Sequence, residues 1–404
     1  MSDARRILLL RGTRAFAYGF TSVLLGVHLA DRFSAGEAGA VLTATLGGSA
    51  ALTAILGVRG DRLGRRRTHV ALSIAMAGAM TVFAYTTSFA ALLVAAMTGT
   101  VAASVLEAGP FAALEQAMLP HAVPVEWRNR WFGRYTAVAA IVGSLGALAA
   151  GGPAALRRVL EGAPSTQRWF LLPAGLALVS AIVAAGLSRD VEAPDGDAGT
   201  PLRRSRGIVA KLSALFALDG LGGGFVVPAL VAFWFRNEYG TSTETLGLVF
   251  FGVGVLQSVS FLVAVRIADR IGLVRTMVFT HLPSNLLLAA IPLAPNEGAA
   301  IALLLARHAL SQMDVPTRQS YVMAVVDPEE RTAAAMLTNT SRSVAQAVSP
   351  GVSGPAVAAA GSGVPFFIGA GLKIVYDVLL YRSFRAVRPP EESARIPSRQ
   401  EPVR

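Results

Sequence analysis

Two stretches decide the fold: Gly57-Val58-Arg59-Gly60-Asp61-Arg62-Leu63-Gly64-Arg65-Arg66-Arg67 and Val265-Arg266-Ile267-Ala268-Asp269-Arg270-Ile271-Gly272-Leu273-Val274-Arg275. They share Asp-Arg-x-Gly-x-x-Arg at an offset of 208 in a chain of 404 residues. Each closes a charge-free run, Ala38–Val58 or Thr245–Val265. Two weaker pairs keep the same order. Glu107-Ala108-Gly109-Pro110 recurs loosely as Asp314-Val315-Pro316 at offset 207, and Gly152-Pro153 recurs as Gly354-Pro355 at offset 202. Three pairs in order, each near half the chain length, point to duplication. Duplicated helical bundles are the plan of secondary transporters, with the site where the repeats meet.

Working outward, composition agrees. Charged residues are 15 % of the chain, apolar residues 53 %, and the mean hydropathy is +0.54. A soluble domain carries about 25 % charged residues. So few charges cannot coat two or three soluble domains. There is no Cys, so neither a disulfide framework nor a thiolate metal site is available. The five His (28, 69, 121, 281, 308) show no metal-ligand spacing. No cleavage pattern follows the first apolar run. The net charge of +11 reads as membrane topology rather than nucleic-acid binding.

A membrane-crossing helix needs about 20 apolar residues. Stretches without Asp, Glu, Lys or Arg run Ala15–Ala30, Ala38–Val58, Val70–Leu106, Tyr135–Leu156, Trp169–Ser188, Gly220–Phe235, Thr245–Val265, Thr276–Asn296 and Ser343–Leu372. Val70–Leu106 divides at Thr86-Thr87-Ser88, and Ser343–Leu372 at Gly361-Ser362-Gly363, leaving Pro365–Phe384 as the last span. Gly298–Val326 adds a span interrupted by Arg307, Asp314 and Arg318. The expectation is an all-α membrane protein: twelve transmembrane helices in two pseudo-symmetric six-helix bundles. The halves are 1–188 and 208–385, joined by a polar linker at 189–207 and followed by a charged, disordered tail at 386–404.

Arginines are crowded on one side, from Arg5, Arg6 and Arg11 through Arg59–Arg67 to Arg203, Arg204, Arg206, Arg266, Arg270, Arg275 and Arg331. The other side has Arg32, Arg157, Arg158, Arg168 and Arg236. By the positive-inside rule both termini are cytoplasmic, in a multi-pass protein of the inner (plasma) membrane.

At this point the chain resembles the major facilitator superfamily, from about Arg11 to Arg385. The most specific element is the helix 2–3 loop, matched by Gly57, Asp61, Arg62, Gly64, Arg65 and Arg66, with Asp269, Arg270 and Gly272 in the degenerate second copy. The drug-antiporter arginine of helix 4 is missing, since Ala102–Gln116 has no Arg, and the helix 5 antiporter motif survives only as Gly143, Gly146 and Gly152-Pro153. Helix 10 and the loop after it resemble a bacterial branch of that family. The resemblance implies that the loop motif is a gating latch, with Asp61 set on a helix N-terminus of the opposite half, where the dipole favours an anion. It also implies that helices 1, 4, 7 and 10 line the central cavity.

A charge at the bilayer centre costs roughly 2.5–3.5 kcal/mol even on the lenient scale, so each needs a partner or water. Arg307, Ser311, Asp314, Arg318 and Tyr321 share one helical face, as do Arg14, Tyr18, Thr21 and His28. The candidate substrate and proton residues are Arg14, Tyr18, Glu107, Asp219, Arg307, Asp314, Arg318 and Arg342. These charges also admit a purely structural reading as ion pairs. Asp314 with Arg318, and Lys373 with Asp377, could each neutralise the other, Arg14 and Arg318 could snorkel, and Trp234 reads as an interface anchor. The leading expectation is proton-coupled export of a small molecule, an antiporter in which Glu107 and Asp219 carry protons. The first alternative is an organic-anion or oxyanion carrier built on Arg307, Arg318 and Arg342. The second is a non-transporting membrane sensor, which would need a docking domain. No nucleophile elbow, metal spacing or phosphate loop suggests an enzyme. The expected partners are a small-molecule substrate, protons and the lipid bilayer, with no nucleic acid, cofactor or metal, for a monomer.

Overall fold

The computed structural model describes residues 2–103, 109–192 and 202–385; side chains at 57–62, 125, 129, 265, 316, 328 and 332 lie outside that description. Among the described residues the architecture is wholly helical. The first half holds α1 (Asp3–Arg32), α2 (Ala35–Leu63), α3 (Arg65–Tyr85), α4 (Phe89–Met97), α5 (Pro110–Met118), α6 (Arg128–Ala149), α7 (Gly152–Val159) and α8 (Leu171–Ala185). The second half holds α9 (Arg206–Gly224), α10 (Pro228–Tyr239), α11 (Thr243–Ile271), α12 (Leu273–Ala290), α13 (Glu297–Ser311), α14 (Asp314–Val325), α15 (Arg331–Ala360) and α16 (Val364–Phe384). Four spans are each built of two helices, α4 with α5, α6 with α7, α9 with α10 and α13 with α14, which gives twelve spans in two sets of six.

Proline sets the breaks. A proline at position i offers no N–H to the carbonyl of residue i−4. The helix α9 ends at Gly224, four residues before Pro228, and α6 ends at Ala149, four before Pro153. Gln312, just past the end of α13, stands four residues before Pro316. The repeated motif makes the same turn twice. Gly64 separates α2 from α3 at φ +80°, and Gly272 separates α11 from α12 at φ +88°. Side chains disfavour that region, so the glycine in both copies is a backbone requirement. Other starts are capped locally, as where Ser34 and Glu37 form a reciprocal capping box on α2.

Eight of the spans are long and apolar enough to cross a membrane by length and composition alone. The other four are α1, α4 with α5, α13 with α14, and α15. Their charged residues Arg14, Glu115, Arg307, Asp314 and Arg318 are buried, and α1 is buried on nearly every face from Ala15 to Leu29. The outer helices turn apolar side chains outward instead, Ile182 and Leu262 among them, as lipid requires.

The ends of the bundle differ. At one end the chain start meets the approach to the linker, where Ser188 donates to Asp3 at 2.6 Å. The halves touch toward the opposite end. There α2 meets α15 so closely that a Cβ on Gly39 would strike the Pro350 carbonyl, and one on Gly354 would strike Gly36. Gly26 of α1 lies as tightly on Ala229 of α10. Two ion pairs cross at that end, Arg236–Asp31 at 2.8 Å and Arg158–Glu244 at 3.0 Å.

Candidate functional site

Each half holds a buried polar cluster. In the first half, Arg14 of α1 meets Glu115 of α5 through two hydrogen bonds, Nε to Oε1 at 3.2 Å and Nη2 to Oε2 at 2.6 Å. Tyr135 of α6 donates to the same carboxylate at 2.7 Å, and His69 Nε2 of α3 lies 3.2 Å from it. Glu115 is fully buried, with both oxygens engaged, which is what a desolvated carboxylate needs. The guanidinium of Arg11 stacks over the Tyr135 ring at 4.7 Å. The void beside this cluster is about 10 Å³, room for about one water.

In the second half the hub is Asp219 of α9. Its Oδ1 takes Lys373 Nζ of α16 at 2.6 Å, and its Oδ2 takes Arg342 Nε of α15 at 3.1 Å and Arg318 Nη1 of α14 at 3.2 Å. Arg318 also reaches Asp314 at 3.0 Å. His281 of α12 stands 4.0 Å from Asp219 and 2.8 Å from Asp377, and Asn285 donates to Asp377 at 2.9 Å. A cavity of about 60 Å³ opens among Asp219, His281, Arg307, Asp314, Arg342 and Lys373, enough for several waters.

The two clusters are the same position with charge reversed. Gln116, Glu126 and Arg128 match Gln319, Glu329 and Arg331 at a constant offset of 203, which sets Glu115 against Arg318. Gly19 and Phe20 match Gly224 and Phe225 at offset 205, which sets Arg14 against Asp219. So α1 carries the cation and α5 the anion in one half, whereas α9 carries the anion and α14 the cation in the other. The looser pairing of Glu107 with Asp314 gives way to this longer register.

The predicted Asp219, Arg307, Asp314, Arg318 and Arg342 come together around one cavity. Arg14 joins the other half's cluster instead, and Tyr18 is buried with its hydroxyl toward the Thr100 carbonyl at 3.4 Å. Glu107 lies outside the described residues, as do the side chains of Asp61 and Arg62. Arg65 is described: its backbone N–H and that of Arg66 donate to the Glu192 carboxylate at 2.6 and 3.2 Å. Four expectations are corrected. Arg14 and Arg318 do not snorkel, because both are buried against carboxylates. Lys373 pairs with Asp219 and not with Asp377, since the helix turns its ammonium toward α9. Trp234 is no interface anchor: it is 5 % exposed and packs on Phe366 at 4.8 Å between ring centroids. Asp219, expected to carry a proton, is instead met by three cations that arrive from other helices. Sequence reasoning missed Glu115 as a hub, His69, Tyr135, His281 and Asp377. The buried histidines left one faint signal, a polar ring inside an otherwise apolar span on α3 and on α12.

Duplicated bundles, proline-broken inner helices and a polar cluster in each half define the fold of a secondary transporter. The Major Facilitator Superfamily profile matches residues 7–216 and again 212–404, and the chain belongs to that family. It is 27 % identical over 376 residues to the uncharacterized membrane protein YJR124C of Saccharomyces cerevisiae, covering 83 % of this chain and 84 % of the yeast protein. In fold it is similar to a D-xylose-proton symporter, with TM-score 0.72 and 13 % identity over 94 % of this chain and 97 % of the other. It is also similar to the human organic anion transporter MFSD10, with TM-score 0.62 and 18 % identity over 93 % and 98 %.

Proposed function

We propose that the protein exports a small molecule across the inner (plasma) membrane by alternating access, in exchange for protons, as a monomer with the linker and both termini in the cytoplasm. One observation carries the proton coupling. His281 stands between Asp377 and Asp219 in the wall of a cavity that accommodates water. Imidazole is the side chain whose ordinary titration lies nearest neutral pH, and here it bridges α12, α16 and α9. A proton gained or lost there changes how three helices are held, which is how protonation couples to a conformational change. The contacts at the end away from the linker are closed, which is the state from which an exporter would load on the cytoplasmic side. The orientation rests on arginine, with Arg5, Arg6, Arg65, Arg203, Arg204 and Arg206 all at the linker end.

Growth-inhibition panels on an expression strain and a deletion strain supply the substrate. Uptake of that substrate into inside-out vesicles then reads the coupling. Accumulation is expected to rise with an acidic lumen, and the His281→Gln and Asp377→Asn variants are expected to keep exchange while losing that dependence. Accumulation in the wild type that ignores the pH difference would overturn proton coupling.

A second reading, an anionic substrate, is favoured by the charge balance of the cavity. Four cationic side chains, Arg307, Arg318, Arg342 and Lys373, line it with only two carboxylates, Asp219 and Asp314.

A further inference from the structure

Arg307 is the cation in this cavity that no carboxylate claims. It is 7 % exposed, and its Nε is buried with no hydrogen-bond partner. Its Nη1 donates to His308 Nε2 at 3.0 Å. A ring nitrogen that accepts carries no proton, so the His308 proton sits on Nδ1, where the Gln257 side-chain amide lies 3.0 Å away and Ser311 Oγ 3.3 Å away. The imidazole is then neutral and offers Arg307 no opposite charge. Asp219 and Asp314 line the same cavity, yet they are taken by Lys373, Arg342 and Arg318. A buried cation without an opposite charge is unfavourable, and Arg307, unlike Arg11 stacked on Tyr135, sits in the wall of a cavity that a ligand can enter.

We propose that Arg307 anchors a binding site for a small oxyanion, a carboxylate or a phosphate. The guanidinium fork matches two oxygens of either group. The Ser311 hydroxyl, 3.3 Å from His308 Nδ1, is a second polar group in the cavity wall that can donate to an oxygen. Gln312, also in the cavity wall, stands at the break between α13 and α14 and adds a side-chain amide donor. Arg342, 29 % exposed on its side chain, is the cluster member nearest to solvent and offers a second cation on the way in. The site is small, so it takes the charged head of a substrate and leaves the remainder in the space between the halves. This deepens the second reading of the substrate and rests on it, not on proton coupling.

The test is equilibrium binding by the purified full chain in nanodiscs, with no gradient across it. Sodium acetate, sodium phosphate and sodium chloride are titrated at fixed ionic strength, with acetamide as the uncharged control. Saturable binding of acetate or of phosphate is expected, and the arm that binds names the head group. Binding should fall at least tenfold in Arg307→Lys, which keeps the charge but not the fork, and vanish in Arg307→Gln. The surface variant Arg382→Gln should bind as the wild type does. Arg307→Lys carries the test if Arg307→Gln does not fold. No saturable binding of either oxyanion overturns the site, as does equal binding of chloride or acetamide, or undiminished binding by Arg307→Lys. Because flux reads the proton coupling and binding reads this site, either can fail alone.

Discussion

Arg14 in α1 and Asp219 in α9 occupy the same place in the two halves and carry opposite charges. Their partners are reversed as well, Glu115 on α5 and Arg318 on α14. Duplication supplied one backbone plan, and the halves then fixed an ion pair of opposite sense at the same depth. Their surroundings also diverged. The first pair is buried and tightly enclosed, with both Glu115 oxygens engaged by Arg14, Tyr135 and His69. The second opens on a cavity with room for several waters and with surplus cations. The first is therefore expected to serve the fold, and the second is the one proposed to serve transport.

Removing Glu115 should test the first role. Glu115→Gln leaves the Arg14 charge buried without its anion, and breaking such a pair costs about 3–5 kcal/mol. Chemical unfolding in detergent should show a loss of that order. The double variant Arg14→Met with Glu115→Leu should recover much of it, since an apolar pair of similar volume removes the buried charge altogether.

Asp219 should behave differently. Asp219→Asn leaves Lys373, Arg342 and Arg318 facing one another across the cavity. Transport in vesicles should fall at least tenfold. Adding Lys373→Met should restore thermal stability by removing one uncompensated cation, without restoring transport. A single Asp219→Asn variant with full flux would show that the hub is only structural.

The loop end of the linker predicts an acid dependence. Burial pushes Glu330 up, but the backbone N–H groups of Arg204, Ser205 and Arg203 outweigh it and hold its carboxyl at about 2. Its ordinary value is 4.5, so the folded state is the one that favours the anion. The resulting stability is fully present above about pH 4.5 and is lost as pH falls toward 2. Unfolding curves across that window should show the loss in the wild type and a flatter dependence in Glu330→Gln.

A bulkier residue at the α2–α15 contact should move the conformational balance. Gly39 already abuts the Pro350 carbonyl, with no room for a Cβ. Gly39→Leu should push the halves apart at that end and favour the alternative state. Spin labels on introduced cysteines, which the Cys-free chain permits, should report a longer distance across that end. An unchanged distance distribution would mean that the contact yields elsewhere.

The spans, the repeat and the paired glycine turns were legible in the sequence because each is local. Charge-free length marks a span, and Gly64 and Gly272 mark turns that no side chain suits. Partnerships within the clusters were not legible, because they are fixed by how neighbouring helices rotate about their axes. Asp219 has no cation near it in sequence, yet Lys373 reaches it from 154 positions away. Arg14 and Arg318 were placed at the membrane boundary from their distance to the span ends, and packing against α5 and α9 drew them inside instead. His69 and His281 escaped attention because the spans were marked by the absence of Asp, Glu, Lys and Arg, and histidine does not interrupt such a run.

The Arg236–Asp31 and Arg158–Glu244 pairs give the resting state an environmental dependence. Both are partly exposed at the end that the proposed topology turns to the outside. Exposed pairs contribute about 0.2–1 kcal/mol each, and the Debye length shrinks from about 10 Å at 0.1 M salt to about 3 Å at 1 M. Saline surroundings therefore loosen the outer clasp while Arg14–Glu115, sealed from ions, holds its strength. A cell in brine and a cell in fresh water would own the same transporter with different resting populations of its two faces.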